Sequence, residues 1–294
     1  MKIAVIRFSA LGDLAASLPI LRALDYKPCI ITSPIGYELM KDEFDDFIIL
    51  KNKKIIEVIR AILAIRKKGF DFIIDLQNND RSRAMTWLSS VRCFRRAEIS
   101  YNQPVTDMLY AIAGQSGFIK DLDYQPRQEP GFYIVLNVGS SPQWESKRLP
   151  VWKWKEIGHV LYNRYHLKFV MVGDQQEQKY VNEVAKEIVG EVDVIAGKTS
   201  IQELKAILKD AFLTVSTDSG PMHISAVMKT PTIGLFGATN WVRSSPYGSW
   251  STVLYDHSCY PDGKPPPHGL TEVGSYYDNI NIDEGLDALQ DVLE

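Results

Sequence analysis

The sequence predicts an α/β protein built from two Rossmann-like, doubly wound domains that face a central cleft. Three observations carry that prediction. The chain has 294 residues, about two domains at roughly 150 residues each. Short apolar runs alternate with amphipathic stretches along most of its length, the pattern of parallel sheets wrapped by helices. The alternation breaks at Ile119–Gly131 (IKDLDYQPRQEPG), where prolines, a glycine and many charges mark a linker, and then restarts. The domains are expected over residues 1–125 and 126–294.

The elements follow in order. Lys2–Arg7 (KIAVIR) reads as a buried strand, and Asp13–Leu24 (DLAASLPILRAL) as the helix behind it. Cys29–Thr32, Phe47–Leu50 and Phe72–Leu76 are short apolar runs of strand length. Lys54–Lys67 (KIIEVIRAILAIRK) repeats its apolar residues at helical spacing. Arg81–Val91 and Thr106–Ala113 are predicted helices, with a short strand near Ala97–Ser100. In the second half, strands are expected at Tyr133–Asn137, Lys168–Val172, Val192–Ile195, Phe212–Ser216 and Thr232–Phe236. Helices are expected between them at Val151–Tyr165, Gln176–Ile188, Ile201–Leu208 and Pro221–Met228. Past Phe236 the regularity fades. Cys259–Gly269 (CYPDGKPPPHG) reads as an exposed turn or partner surface. Ile282, Leu286, Leu289 and Leu293 share one stripe of a final helix, which is a candidate to pack back on the first domain.

Composition excludes several classes. With 45% hydrophobic and 23% charged residues the chain is not disordered. Its net charge of -3 is not that of a nucleic-acid polyelectrolyte. That figure hides an asymmetry: 19 basic and 15 acidic residues up to Arg127, against 14 and 21 after it. Opposite signs point to domains that meet different partners. The three cysteines are scattered, without metal-ligand spacing, and read as isolated thiols of a reducing compartment. Arg7, Asp13 and Arg22 interrupt the apolar N-terminus far short of a membrane span of about 18 residues. A cytoplasmic protein, at most peripheral to a membrane, is expected.

Three loops at strand-to-helix junctions, where doubly wound sheets place ligands, carry the chemistry. The first is Phe8-Ser9-Ala10-Leu11-Gly12-Asp13. Asp13 reads either as a helix cap or as a carboxylate that takes a proton from an acceptor hydroxyl; the two are compatible. The second is Ser216-Thr217-Asp218-Ser219-Gly220-Pro221-Met222-His223. A helix beginning at Ser219 or Gly220 offers free N–H groups to a phosphate, Asp218 accepts from sugar hydroxyls, and His223 donates to a phosphate oxygen. The third, Asn137–Ser141 followed by Lys147-Arg148-Leu149-Pro150, supplies the Ser140 and Ser141 hydroxyls and the Lys147 cation to a diphosphate. Arg81, Arg83, Arg92, Arg95 and Arg96 form a basic focus: a solvated helix face, or a patch for an anionic acceptor.

Other patterns fail. No GxGxxG follows either opening strand, so dinucleotide redox chemistry has no support. Gly197-Lys198-Thr199 ends like a phosphate loop, but Val192 stands where its first glycine belongs. Gly139-Ser140-Ser141 is not the GxSxG elbow of an α/β-hydrolase.

Together these motifs resemble glycosyltransferase family 9, the ADP-heptose:lipopolysaccharide heptosyltransferases. The matching stretches are IRFSALGDLAASLPILRAL, NVGSSPQWESKRLP and STDSGPMHISAVMKTPTIGLFGATN. Leu149 stands where the family usually has tryptophan, and Asn137-Val138-Gly139 replaces the commoner His-Pro-Gly. The resemblance implies the glycosyltransferase B fold, inversion at the anomeric carbon and no metal or other cofactor. It implies transfer of a heptose from ADP-L-glycero-D-manno-heptose to a Kdo or heptose of the lipopolysaccharide inner core. Asp13 then falls at the general base, and Lys147 at the group that stabilises the leaving diphosphate. Ser140, Ser141, Glu177, Thr199, Asp218, Ser219, Gly220 and His223 fall in the donor site. Ser9, Arg81 and Arg83 are the acceptor-side candidates, suited to an anionic lipid-linked saccharide at the inner membrane. The alternatives are another nucleotide sugar or acceptor, a sugar-nucleotide 2-epimerase of the same fold, and a non-catalytic sugar-nucleotide binder.

Overall fold

The computed structural model describes residues 1–95 and 102–294. The chain divides into two compact units, Met1–Asp123 and Tyr124–Glu294.

In the first unit the elements are β1 (Ile3–Ile6), α1 (Leu11–Ala23), β2 (Cys29–Thr32), α2 (Pro34–Met40), β3 (Phe47–Ile49), α3 (Ile55–Lys68), β4 (Phe72–Asp75), α4 (Asp80–Ser89), β5 (Arg92–Phe94) and α5 (Val105–Gly114). The strands pair in parallel in the order β3-β2-β1-β4-β5. β1, β2 and β4 are buried along their whole length, which is why they read as unbroken apolar runs rather than as alternation. Ala4, Ile6, Ile31 and Ile73 meet Val58, Ile62 and Ile65 of α3 in one core. Strand order reverses between β1 and β4, so the loops leaving their carboxyl ends emerge side by side at the place where such sheets bind ligands.

The short strand expected at Ala97–Ser100 lies outside the described residues. A separate strand, β5, forms at Arg92–Phe94, where α4 ends at Ser89 and Ser90 turns the chain in a left-handed conformation (φ 59°). The seven-residue α2 was not expected. It is too short for a helical period to register, although Ser33-Pro34 is a fair start signal.

The second unit runs β6 (Ile134–Asn137), a 3-10 turn (Pro142–Lys147), α6 (Val151–Tyr165), β7 (Phe169–Val172), α7 (Gln178–Ala185), β8 (Val192–Val194), α8 (Ile201–Asp210), β9 (Leu213–Thr217), α9 (Gly220–Val227), β10 (Thr232–Phe236), β11 (Ser251–Tyr255), α10 (Ile282–Ala288) and α11 (Gln290–Leu293). All its strand pairs are parallel, in the order β11-β10-β9-β6-β7-β8. The central neighbours β6 and β9 deliver the Asn137 and Asp218 loops to the same end of the sheet. β11, an edge strand, was missed because its alternation is short and half-exposed.

In the final helical segment Ile282, Leu286 and Leu289 enter the core of the second unit. The linker segment is also less free than its composition suggests. Arg127 donates to the carbonyls of Lys209 (2.8 Å), Ala211 (2.6 Å) and Phe212 (3.1 Å) at the end of α8, where a cation meets the negative end of the helix dipole.

Candidate functional site

In the first unit the site is assembled from the loops that follow β1 and β4. α1 begins at Leu11 with Ala10 as its cap, so Asp13 is its third residue and not the capping one. Asp13 Oδ2 accepts from the Ala10 N–H at 3.3 Å, and Oδ1 pairs with Arg7 at 2.9 Å. Its side chain is 29% exposed, enough to meet a ligand while the two contacts hold its rotamer. Arg7 is buried and also donates to the Leu76 carbonyl, tying the Asp13 loop to the end of β4. Gln77 Oε1 accepts from the N–H groups of Phe8 (2.7 Å) and Ser9 (3.3 Å). Asp75, fully buried, holds that turn by accepting from the N–H groups of Gln77 (3.1 Å) and Asn78 (2.9 Å).

Arg81 lies over the Phe8 ring at 5.4 Å, and Arg83 Nε donates to Asn78 Oδ1 at 3.1 Å. The structure thus brings Ser9, Asp13 and Arg81 together, with Arg83 on the same helix. Of the rest of the basic focus, Arg92 is exposed and Arg95 half-buried. Arg92 stacks on Phe94 at 4.8 Å and Arg95 donates to Thr86 Oγ1; Arg96 lies outside the described residues. Arg7 and Gln77 were missed as site residues. The available signal was a charge closing a buried strand and a polar run (Gln77–Asp80) immediately after another.

In the second unit Lys147 Nζ donates to Asp218 at both Oδ2 (3.0 Å) and the backbone carbonyl (3.1 Å). Lys147 also lies 5.1 Å over the Trp144 ring. Asn137 Nδ2 donates to Ser216 Oγ (2.8 Å) and Ser219 Oγ (2.6 Å), and Thr217 Oγ1 donates to the Gly139 carbonyl (2.7 Å). These bonds knit the β6 and β9 loops into one surface. The Ser219 side chain makes no capping bond to α9, so the N–H groups from Gly220 onward are not side-chain capped. His223 and Asp218 are both buried. Ser140 is turned inward, its hydroxyl donating to the Trp144 carbonyl at 2.6 Å, whereas Ser141 is exposed.

Glu177 lies against the same loop. A Cβ added at Gly139 would come within 2.6 Å of Glu177 Cδ, so only glycine lets the carboxyl approach that closely. Glu177 Oε2 accepts from the Asp174 N–H at 2.7 Å, and burial raises the acid's pKa above its ordinary value. Thr199 sits farther out, in the turn after β8, next to Ser200, which caps α8.

A cavity of about 550 Å³ opens on the outer flank of the Lys147 loop. Arg148, Trp152, Tyr180 and Asp278 are among its lining residues, and Lys147 and Asp218 are not. Among the described residues no three His, Cys, Asp or Glu side chains are grouped to hold a metal ion, and no helix is long and apolar enough to cross a membrane.

Two doubly wound parallel units, with ligand-competent loops at the carboxyl ends of their central strands, are the architecture of the glycosyltransferase B fold. Solved structures share it. A family 9 glycosyl transferase from Veillonella parvula superposes with TM-score 0.75 at 20% identity, covering 99% of this chain and 97% of that one. The Escherichia coli ADP-heptose lipopolysaccharide heptosyltransferase II gives 0.75 at 19%, covering 100% and 98%. The model of glycosyltransferase family 9 (heptosyltransferase) matches residues 94–266, and the chain belongs to that family. A curated relative, lipopolysaccharide heptosyltransferase 1 of Campylobacter coli, is 26% identical over 83% of this chain and 86% of its own.

Proposed function

We propose that the protein is an inverting, metal-independent glycosyltransferase that moves a heptose from ADP-heptose to an anionic saccharide of the lipopolysaccharide inner core. The observation that carries this reading is the Lys147–Asp218 contact. It stands where the β6 and β9 loops meet, beside the uncapped start of α9. An ammonium and the first-turn backbone of a helix with no side-chain cap suit a leaving diphosphate, whose growing negative charge they stabilise in the transition state. The names of the relatives support the choice of sugar: one is an ADP-heptose transferase of lipopolysaccharide, another a lipopolysaccharide heptosyltransferase.

In the proposed reaction the acceptor hydroxyl attacks the anomeric carbon as the bond from that carbon to the phosphate oxygen breaks. ADP leaves with the bonding electrons, the proton passes to Asp13, and configuration inverts because there is a single displacement. Arg7 keeps the Asp13 carboxylate aimed. Asp218 and Glu177 take the sugar and ribose hydroxyls, Ser141, Ser219, Gly220 and His223 hold the phosphates, and Thr199 borders the nucleoside. The Ser140 hydroxyl, spent on Trp144, shapes the loop. Ser9, Arg81 and Arg83 meet the acceptor, whose anionic charge suits the basic first unit and a working position at the membrane surface on the cytoplasmic side. Membership of a glycosyltransferase family favours transfer over 2-epimerisation.

The test is a screen of ADP-, UDP- and GDP-sugars with a truncated lipopolysaccharide acceptor, following nucleotide release. ADP release that needs both ADP-heptose and acceptor, and that persists in EDTA, is expected. Release from UDP- or GDP-sugars alone would overturn the donor assignment, and loss of activity in EDTA the metal-independent mechanism.

A further inference from the structure

The contacts that hold Lys147 in place extend beyond its own loop. Ser146, next to it, is buried, and both its hydroxyl and its carbonyl turn to the C-terminal segment. Its Oγ donates to the Leu270 carbonyl at 2.6 Å, and its carbonyl accepts from the Tyr277 hydroxyl at 2.9 Å. The Tyr277 oxygen in turn accepts from the Ala238 N–H at 3.4 Å, and the Ala238 carbonyl accepts from the Leu270 N–H at 2.7 Å. Four residues from three separate stretches of chain therefore close a hydrogen-bonded ring under the peptide that precedes Lys147.

Tyr277 is only 1% exposed, so its hydroxyl meets protein rather than water, and a lost partner there is not replaced by solvent. Packing tightens the same brace. A Cβ at Gly269 would fall 2.6 Å from Trp144, the ring beneath the Lys147 amine. The segment is stapled at its base by Asp256, which is fully buried. Its Oδ1 accepts from the Ser258 N–H (2.9 Å) and hydroxyl (2.6 Å), and its Oδ2 from the Asn279 N–H (2.8 Å) and Nδ2 (3.2 Å). The 256–279 excursion, Pro-rich loop included, is thus closed two residues past Tyr277. Tyr277 lies beyond the residues that the family model matches, which end at 266.

We propose that Tyr277 is a positioning residue for the donor diphosphate. Through the Ser146 carbonyl it fixes the reach of the Lys147 ammonium, and the 256–279 segment serves as the frame that holds it. The proposal rests on the reading of Lys147 as a donor-binding group, and the test separates the two.

ADP binding to the full chain is measured by calorimetry for the parent, Tyr277→Phe, Lys147→Ala and the double variant, each below its own unfolding midpoint. Removing one hydroxyl from a buried hydrogen bond is expected to weaken ADP binding about five- to tenfold in the parent background. With Lys147→Ala already present, Tyr277→Phe is expected to add nothing, because no ammonium is left to position. Equal weakening in both backgrounds would show that Tyr277 is merely structural, and parent-like binding by Tyr277→Phe would show no role; either overturns the proposal. Parent-like binding by Lys147→Ala would instead overturn the donor-site reading on which the proposal stands. If Tyr277→Phe does not fold, Ser146→Ala, which cuts the strut to Leu270, carries the same comparison with the same expected outcomes.

Discussion

Replacing Lys147 by alanine separates two roles that its position combines. The ammonium lies 3.0 Å from Asp218 Oδ2, with side chains 17% and 9% exposed. At an effective dielectric of about 20 the gross attraction over that distance is roughly 5 kcal/mol, much of it offset by desolvation. Breaking a fully buried pair costs about 3–5 kcal/mol, and the residual exposure here lowers that to roughly 2–3 kcal/mol. For a unit of this size the melting temperature should fall by roughly 5–10 °C. If Lys147 also stabilises the leaving diphosphate, the turnover of protein that remains folded should drop about 10²–10³-fold, as for loss of one preorganised charge donor. The added change Asp218→Asn removes the uncompensated charge and should recover most of the lost stability, but not the rate. Calorimetric melting and initial rates of ADP release, with Asp218→Asn alone as baseline, read the two effects. Recovery of rate together with stability in the double variant would refute the catalytic role and leave Lys147 a structural cation.

Further outcomes follow from the same geometry. Asp13→Ala should lower transfer by about 10²–10⁴-fold while changing ADP affinity little, since Asp13 and the loops proposed to bind ADP belong to separate units; unimpaired transfer in a rate assay would sink the base assignment. Gly139→Ala forces a methyl against the buried Glu177 carboxyl and should cost about 1–3 kcal/mol in denaturant unfolding, with Glu177→Ala relieving much of the loss; additive losses would argue against the clash. Glu177 has a raised pKa in the fold, so its contribution to stability is present below the unfolded value of about 4.3 and is lost as pH rises through the folded value. Glu177→Gln mimics the neutral form at every pH, and its melting temperature relative to the parent should rise between pH 4 and 7; parallel profiles would contradict this.

The legible parts of this protein are those with a local cause. Buried parallel strands such as Ile3–Ile6 and Ile134–Asn137 announce themselves because both faces are covered and the runs are apolar, with Asn137 at the end of the second the one polar residue. The helices α3 and α6 announce themselves by period. The loops bearing Asp13, Lys147 and Asp218 were legible because strand-to-helix junctions recur at the carboxyl ends of such sheets and use short, distinctive residue strings. The illegible parts have causes distant in the chain. The Arg7–Asp13 pair depends on Leu76, at the end of the strand next to β1 but 69 residues on in the chain. The inward turn of Ser140 depends on Trp144, whose backbone leaves the helical conformation (φ -130°, ψ 42°) and kinks the 3-10 turn. The seven-residue α2 and the half-exposed β11 carry too few residues for a period to emerge.

Sequence by itself determined the fold class, the family and the candidate loops at the strand-to-helix junctions, because periodicity, turn residues and motif strings are written in neighbouring positions. Tertiary structure alone decided which groups meet. It paired Lys147 with Asp218, pressed Glu177 onto Gly139, placed Arg7 behind Asp13, and folded the Pro-rich tail into a frame beneath Ser146. Contacts between residues as far apart as Ser146 and Tyr277 depend on how whole elements pack, and no local pattern encodes the distance between them.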